Sequence, residues 1–288
     1  MHELRAVTLS GYLELAAAVG LDGYWMLRQA GIPPALLEEP DNRIPALAAV
    51  RLLEKSAQRS GCENFGLLLA EHRSFASLGP IALLLDRLGT TREMLDALAA
   101  YRRHMNDIIA VNVEEEGGTA LIKIGFMAEY AQVQITDFAL LLGYKVLNGA
   151  SHGNWVPSEV HLTREAPRDL APWRRNFPAT ISFGNLFNGF SCPSAALDIP
   201  NPNADPVMAG HAERLLRLVP LPDEQAPVSD RVRRMIAELL PSGQARLGMV
   251  AGRLSLGGRA LQRSLEHEGA TFAGLLGEVR SDLAQVYL

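Results

Sequence analysis

The sequence predicts an α+β N-terminal domain, a helical front with a mixed sheet behind it, followed by an all-α helix-turn-helix unit. Three observations carry this. Apolar residues recur at helical spacing through roughly the first 105 residues. The period then drops to two on either side of Gly117-Gly118. A proline-rich stretch finally separates this region from a tail whose apolar residues return to helical spacing.

Leu13, Ala16, Ala17 and Leu21 mark the first helix, closed by Gly20 and Gly23. A second follows around Tyr24–Ala30 and stops at Gly31-Ile32-Pro33-Pro34. Pro45 opens a third, with Leu47, Val50, Leu53 and Ala57 on its apolar face. Phe65–Ala70 is another apolar segment, and Ser77-Leu78-Gly79-Pro80 breaks the chain before Ile81–Leu88. Thr90 or Thr91 caps a helix carrying Met94, Leu95, Leu98, Tyr101 and Met105 on one side.

Ile109, Val111 and Val113 then alternate with Ala110, Asn112 and Glu114, and Leu121–Phe126 resumes after Gly117-Gly118. Two β-rich runs around paired glycines predict a hairpin, because glycine supplies the positive φ of a tight turn. A long apolar helix spans roughly Gln132–Asn148. Val160–Leu162, Thr180–Phe183 and Asn188–Ser191 read as strands, Leu170–Asn176 as a short helix and Ala204–Leu218 as a closing helix. Domain one is therefore 1–218, for ligand sensing and dimerisation. The linker is 219–229 (VPLPDEQAPVS), which Pro220, Pro222 and Pro227 bar from being one helix. The helix-turn-helix unit is 230–288.

In that unit Val232, Met235, Ile236, Leu239 and Leu240 form a buried stripe, ended by Pro241-Ser242-Gly243. Leu247, Val250, Ala251 and Leu254 repeat it. After Ser255-Leu256-Gly257-Gly258, Leu261 and Leu265 face inward while Arg259, Gln262, Arg263 and Glu266 occupy the opposite stripe. Arginine matches guanine and glutamine matches adenine in bidentate fashion, so Arg259, Gln262 and Arg263 are the candidate DNA-binding residues. The same stripe also suits a merely solvated surface, and the residues alone leave both open. Thr271 caps a last helix with Phe272, Leu275, Leu276, Val279, Leu283 and Val286 inward.

Charge follows this division. The chain carries −5 overall, but the part from Asp230 onward has eight Arg against six Asp/Glu, a net +2 beside −7 for the rest. No apolar run approaches the ~18–20 residues of a membrane span, and the N-terminus has no signal-peptide pattern. Two cysteines far apart, Cys62 and Cys192, make no disulfide framework, so a cytoplasmic location is expected. Phosphate loops, GxGxxG, CxxC, HExxH and Gly-x-Ser-x-Gly motifs are absent, and the seven histidines do not fall at metal-ligand spacings. The expectation is a non-enzyme without metal or cofactor. Candidate effector-binding groups are Tyr101, His104 and Asn106, in the run reaching Asp107, and Trp155, after His152-Gly153-Asn154. Loop and capping roles are the alternative for each run.

The tail run Val250-Ala251, Leu254, Arg259, Leu261-Gln262-Arg263, Leu265, Glu268-Gly269, Thr271-Phe272, Leu275-Leu276, Val279-Arg280, Leu283-Ala284 and Tyr287-Leu288 resembles the first helix-turn-helix of the AraC/XylS transcription regulators. In the front domain the resemblance rests on four stretches: Phe75–Pro80; Thr90-Thr91 with Leu95 and Leu98; Pro157–Leu162; and Phe177-Pro178 with Ile181–Phe183. They are similar to the arabinose-binding-like sensor of ornithine-utilisation-type regulators. The resemblance implies a cytoplasmic homodimeric regulator that binds promoter DNA and a small-molecule effector, with RNA polymerase a further partner; the apolar-rich first domain, with few candidate polar groups, suits a modest amphiphile or an amino-acid-like effector. It also implies that Arg259, Gln262 and Arg263 face the major groove.

Four departures from the family pattern stand out. Gly257 replaces a capping Ser, Ser255 replaces a turn Gly, and Ser264 replaces an Arg. The family pattern continues into a second helix-turn-helix, which is expected to be missing here, whether by truncation or as a natural short form, since the sequence reaches only Tyr287-Leu288. The alternative expectation is a truncated sensor and dimerisation module without specific DNA binding.

Overall fold

The computed structural model describes residues 2–106, 108–127, 130–218, 227–240, 245–254 and 256–286. It divides into two compact units, Met1–Leu218 and Val219–Leu288. Several sequence expectations lie outside the described residues: the linker at 219–226, the Pro241-Ser242-Gly243 stop, Ser255, Asp107, Tyr287-Leu288 and the inward placement of Leu283 and Val286.

The first unit is α+β. A short antiparallel ribbon joins β1 (Glu3–Arg5) to β2 (Arg43–Pro45), which the sequence did not signal. Around it lie α1 (Tyr12–Ala18), α2 (Gly23–Gln29), α3 (Ala46–Ser60), α4 (Phe65–Glu71) and α5 (Ile81–Leu85). Thr90 caps α6 (Thr91–Ala100), its hydroxyl accepting the Glu93 amide at 3.3 Å. The helix expected to run on through Met105 instead breaks at Tyr101 (φ −100°, ψ 17°), leaving a separate turn, α7 (Arg102–Met105).

The hairpin forms as expected. β3 (Ile109–Glu116) and β4 (Thr119–Phe126) pair in full register from Ile109↔Phe126 to Glu116↔Thr119. Gly117 and Gly118 turn between them with φ of 58° and 82°, the two positive angles a primed hairpin turn demands. β5 (Glu159–His161), β6 (Thr180–Ser182) and β7 (Gly189–Pro193) complete a five-stranded sheet in the order β3-β4-β7-β5-β6. The β5–β6 pair is parallel and its neighbours antiparallel, so the sheet is mixed.

The long apolar helix is α8 (Val133–Ala150), and it carries the core. At Gly143 it comes so close to the sheet that an added Cβ would meet Ile124 at 3.2 Å. At its other end α4 presses on it. A Cβ on Gly66 would lie 1.9 Å from the Gln134 carbonyl, and the Gly66 amide donates to Gln134 Oε1 at 2.8 Å. α9 (Ala171–Asn176) brings in the buried Trp173, and α10 (Pro206–Leu218) packs on α5. Among the described residues no helix is long and apolar enough to cross a membrane.

The regular elements among the described residues of the second unit are all helices: α11 (Val228–Leu239), α12 (Leu247–Arg253), α13 (Gly258–His267) and α14 (Phe272–Val286). Val232, Ile236, Leu239, Val250, Ala251, Leu261, Leu265, Leu275 and Val279 close one core. Gly269, at φ 70°, ends α13 by placing the Ala270 amide on the Leu265 carbonyl (2.8 Å) and its own on Glu266 (3.0 Å). That pairing is a Schellman motif and it requires a left-handed residue. The Thr271 hydroxyl then caps α14 through the Gly274 amide at 3.1 Å.

Candidate functional site

A cavity of about 130 Å³ opens in the first unit between α8, the β3–β4 hairpin, α6–α7 and the β1 end of the chain. Its wall is mostly apolar: Leu98, Met105, Ile109, Val111, Ile124, Ile135, Phe138, Leu142 and Val146 all face it. Arg5, Arg73 and Arg102 break that surface, with Thr8, Ser77 and Asn106 as neutral polar groups. Asp and Glu do not occur among its described lining residues.

The three arginines differ in their surroundings. Arg5 is fully engaged. Its Nε donates to Asp41 at 2.9 Å, its Nη2 pairs with the same carboxylate, and its Nη1 reaches the Ser77 and Leu78 carbonyls at 3.2 and 2.9 Å. Gly79 permits this, since a Cβ there would lie 2.8 Å from the guanidinium and φ is +75°. The Ser77-Leu78-Gly79 break is thus a socket for Arg5. Arg73, just beyond α4, is only 5% exposed, yet its guanidinium has no hydrogen-bond or ion-pair partner among the described residues. Burial, reinforced by the nearby Arg5 charge, pushes its pKa down to about 10. Arg102, half-buried on α7, also has no ion-pair partner among them.

Of the four effector-binding residues expected from sequence, Asn106 alone lines the cavity, and its Oδ1 already accepts the Ile108 and Ile109 amides at 3.1 and 2.7 Å. Tyr101 points away, donating to Glu213 on α10 at 2.8 Å beside a separate surface groove. His104 lies beside Tyr101, the ring centroids 5.8 Å apart and the planes tilted by 59°. Trp155 sits in the core, fully buried against Phe190 and Tyr144, with its indole beside the Cys192 thiol. Arg73 was missed. It stands in His72-Arg73-Ser74, which reads as a polar loop, and a single loop arginine gives no period from which burial could be inferred.

The second candidate site is the outer face of α13. Leu261 and Leu265 are buried, while Arg259, Gln262, Arg263 and Glu266 are exposed on the opposite side. Arg259 and Arg263 have no ion-pair partner among the described residues and remain free for an external anion. Gly257 is the N-cap residue, extended at φ −74° and ψ 145°, and it offers no side-chain bond. Glu268, part of the family-like run, acts structurally: its carboxylate accepts the Val228 and Ser229 amides at 2.6 and 2.7 Å, capping α11. Arg233 ties α11 to α14 through Glu278, Nε to Oε2 at 3.0 Å.

A buried stripe behind an exposed Arg/Gln stripe, on a helix following a short turn, is the arrangement of a major-groove reading helix. The HTH-type transcriptional regulator VirS of Mycobacterium tuberculosis is 28% identical over 99% of this chain and 85% of its own length. An uncharacterized HTH-type transcriptional regulator of Mycobacterium bovis, Mb1430, is 27% identical over 94% of this chain and 81% of its own. Among solved structures, the transcriptional regulator CdpR from Pseudomonas aeruginosa aligns with a TM-score of 0.49 and 22% identity, over 91% of this chain and 82% of that one. The family model for the N-terminal arabinose-binding domain of AraC transcription regulators matches residues 20–201, well over half of the sequence, and the chain belongs to that family.

Proposed function

We propose that this transcription regulator reads promoter DNA with Arg259, Gln262 and Arg263 of α13 and receives a small-molecule effector in the cavity beneath α8. The observation that carries the DNA half is the exposed, unpaired Arg259–Gln262–Arg263 stripe set directly opposite buried Leu261 and Leu265. Arginine and glutamine at those positions can take guanine and adenine edges, and their phosphate contacts would make binding salt-dependent. Residues 1–218 are the sensing and dimerising part, and the unit from 230 onward the reading part. The working form is a homodimer joined through residues 1–218, which brings two such helices to DNA together. The setting is the cytoplasm, with RNA polymerase as the downstream partner and no catalytic step.

The test is binding to the DNA upstream of the protein's own gene, measured by anisotropy across a salt series. The wild type should bind this DNA more tightly than an unrelated duplex. Arg259→Ala/Arg263→Ala should lose at least about 10-fold in affinity and flatten the salt dependence. Equal binding by both proteins sinks the role assigned to α13. A wild type that treats both duplexes alike favours a sensing module without specific DNA binding.

A further inference from the structure

The cavity's charge narrows the class of effector. Arg73 is 5% exposed, faces the cavity and has no partner among the described residues. A buried guanidinium without a counter-charge is costly, so an anion brought into the cavity gains what the protein itself does not supply. Arg5 cannot be that anion's main partner, because Asp41 and two carbonyls already occupy it. Arg102 can, since it borders the same space and has no ion pair among the described residues. The remaining wall, with Leu98, Ile124, Phe138 and Leu142, fits a hydrocarbon.

Resting on the reading of this cavity as the effector site, we propose that it binds an aliphatic monocarboxylate, its carboxylate held by Arg73 and Arg102 and its chain lying between α8 and the hairpin. A free amino acid fits less well, because its ammonium would find no acidic side chain among the described lining residues. A bare inorganic anion would leave the apolar wall unfilled. The volume of about 130 Å³ is close to the ~150 Å³ that admits benzene in an engineered apolar cavity, which suits a chain of about six carbons.

The experiment titrates the full chain with hexanoate, hexan-1-ol and hexylamine, by calorimetry and by the shift in Tm. Hexanoate should bind at least about 30-fold more tightly than the alcohol, as expected for a desolvated charge pair, and the amine should not bind. Arg73→Met should reduce hexanoate to the level of the alcohol without lowering the protein's own Tm. Arg73→Lys, which keeps a point charge, should recover part of the difference. Ala139→Leu, filling the cavity from α8, should weaken every ligand. Hexanoate binding no more tightly than the alcohol, or unchanged in Arg73→Met, overturns the carboxylate assignment, as does failure of all three probes to bind. If the alcohol binds and Ala139→Leu abolishes it, the cavity survives as the effector site. Hexanoate binding that ignores Ala139→Leu overturns both.

Discussion

The two units place arginine in opposite settings. On α13 the cations stand in water, and Leu261 and Leu265 hold the helix from behind. Under α8 the cation is inside: Arg73 is nearly fully buried and unpaired among the described residues. A solvated charge costs the fold almost nothing, whereas a buried unpaired one costs several kcal/mol. The reading face can therefore change its chemistry without disturbing its scaffold. The sensor, by contrast, stores instability that a ligand can relieve. At the two proposed sites, recognition and stability are separable on α13 and coupled in the cavity.

The largest expected effect breaks the scaffold of the reading helix. Leu261→Ala deletes a fully buried side chain at the centre of the second core. Such deletions cost about 2–5 kcal/mol. Hydrogen exchange in α13, which reports on this unit alone, should show protection falling by that amount. Arg259→Ala/Arg263→Ala on the other side of the same helix should leave protection within about 0.5 kcal/mol of wild type. A comparable loss in both variants would mean that the exposed arginines also brace the fold.

In the cavity the sign reverses. Arg73→Met removes the unpaired charge and keeps much of the volume, so the first unit should gain about 1–3 kcal/mol in denaturant unfolding. Loss of stability instead would show that Arg73 has a compensating partner in the folded state. Its contrast is Asp137 on α8, equally buried but paired with Arg164. Burial outweighs that pairing and raises the Asp137 carboxyl to about 7. The folded-state pKa lies above the unfolded one, so this group's contribution is fully present below about pH 4 and is lost as pH rises through about 7. Asp137→Asn should remove that part of the decline in urea stability between about pH 4 and 7. An unchanged pH profile would show that Arg164 keeps the carboxylate ionised throughout.

The same contrast explains what could be read from sequence. The two faces of α13 were legible because helical spacing alone separates the buried Leu261 and Leu265 from the exposed Arg259, Gln262 and Arg263. The hairpin was legible because Gly117-Gly118 meets a local backbone requirement. Neither depends on distant residues. The cavity does: its wall runs from Leu4 to Val146, across elements that meet only in three dimensions. Burial of Arg73 is a tertiary outcome with no local signature. For the same reason, Trp155 and Tyr101, chosen for their polar handles, gave no sequence sign that one would lie in the core and the other against Glu213.

The smallest effect sharpens the comparison at the start of the reading helix. Gly257 is extended there, and nothing lies within 4 Å of the place a Cβ would occupy. Gly257→Ser therefore fits without strain, and its hydroxyl can accept an amide from the first turn of α13, which now lacks a side-chain cap. The gain over glycine is a few tenths of a kcal/mol, read as slower exchange of the first amides of α13. The change touches neither the arginine stripe nor the leucines behind it, so DNA affinity should rise only as far as a better-formed first turn preorganises Arg259. A gain confined to exchange, with affinity unchanged, would show that α13 is already fully formed when it meets DNA. A gain in both would show that helix order at Gly257 limits reading, and would link scaffold to recognition on the one helix where they otherwise separate.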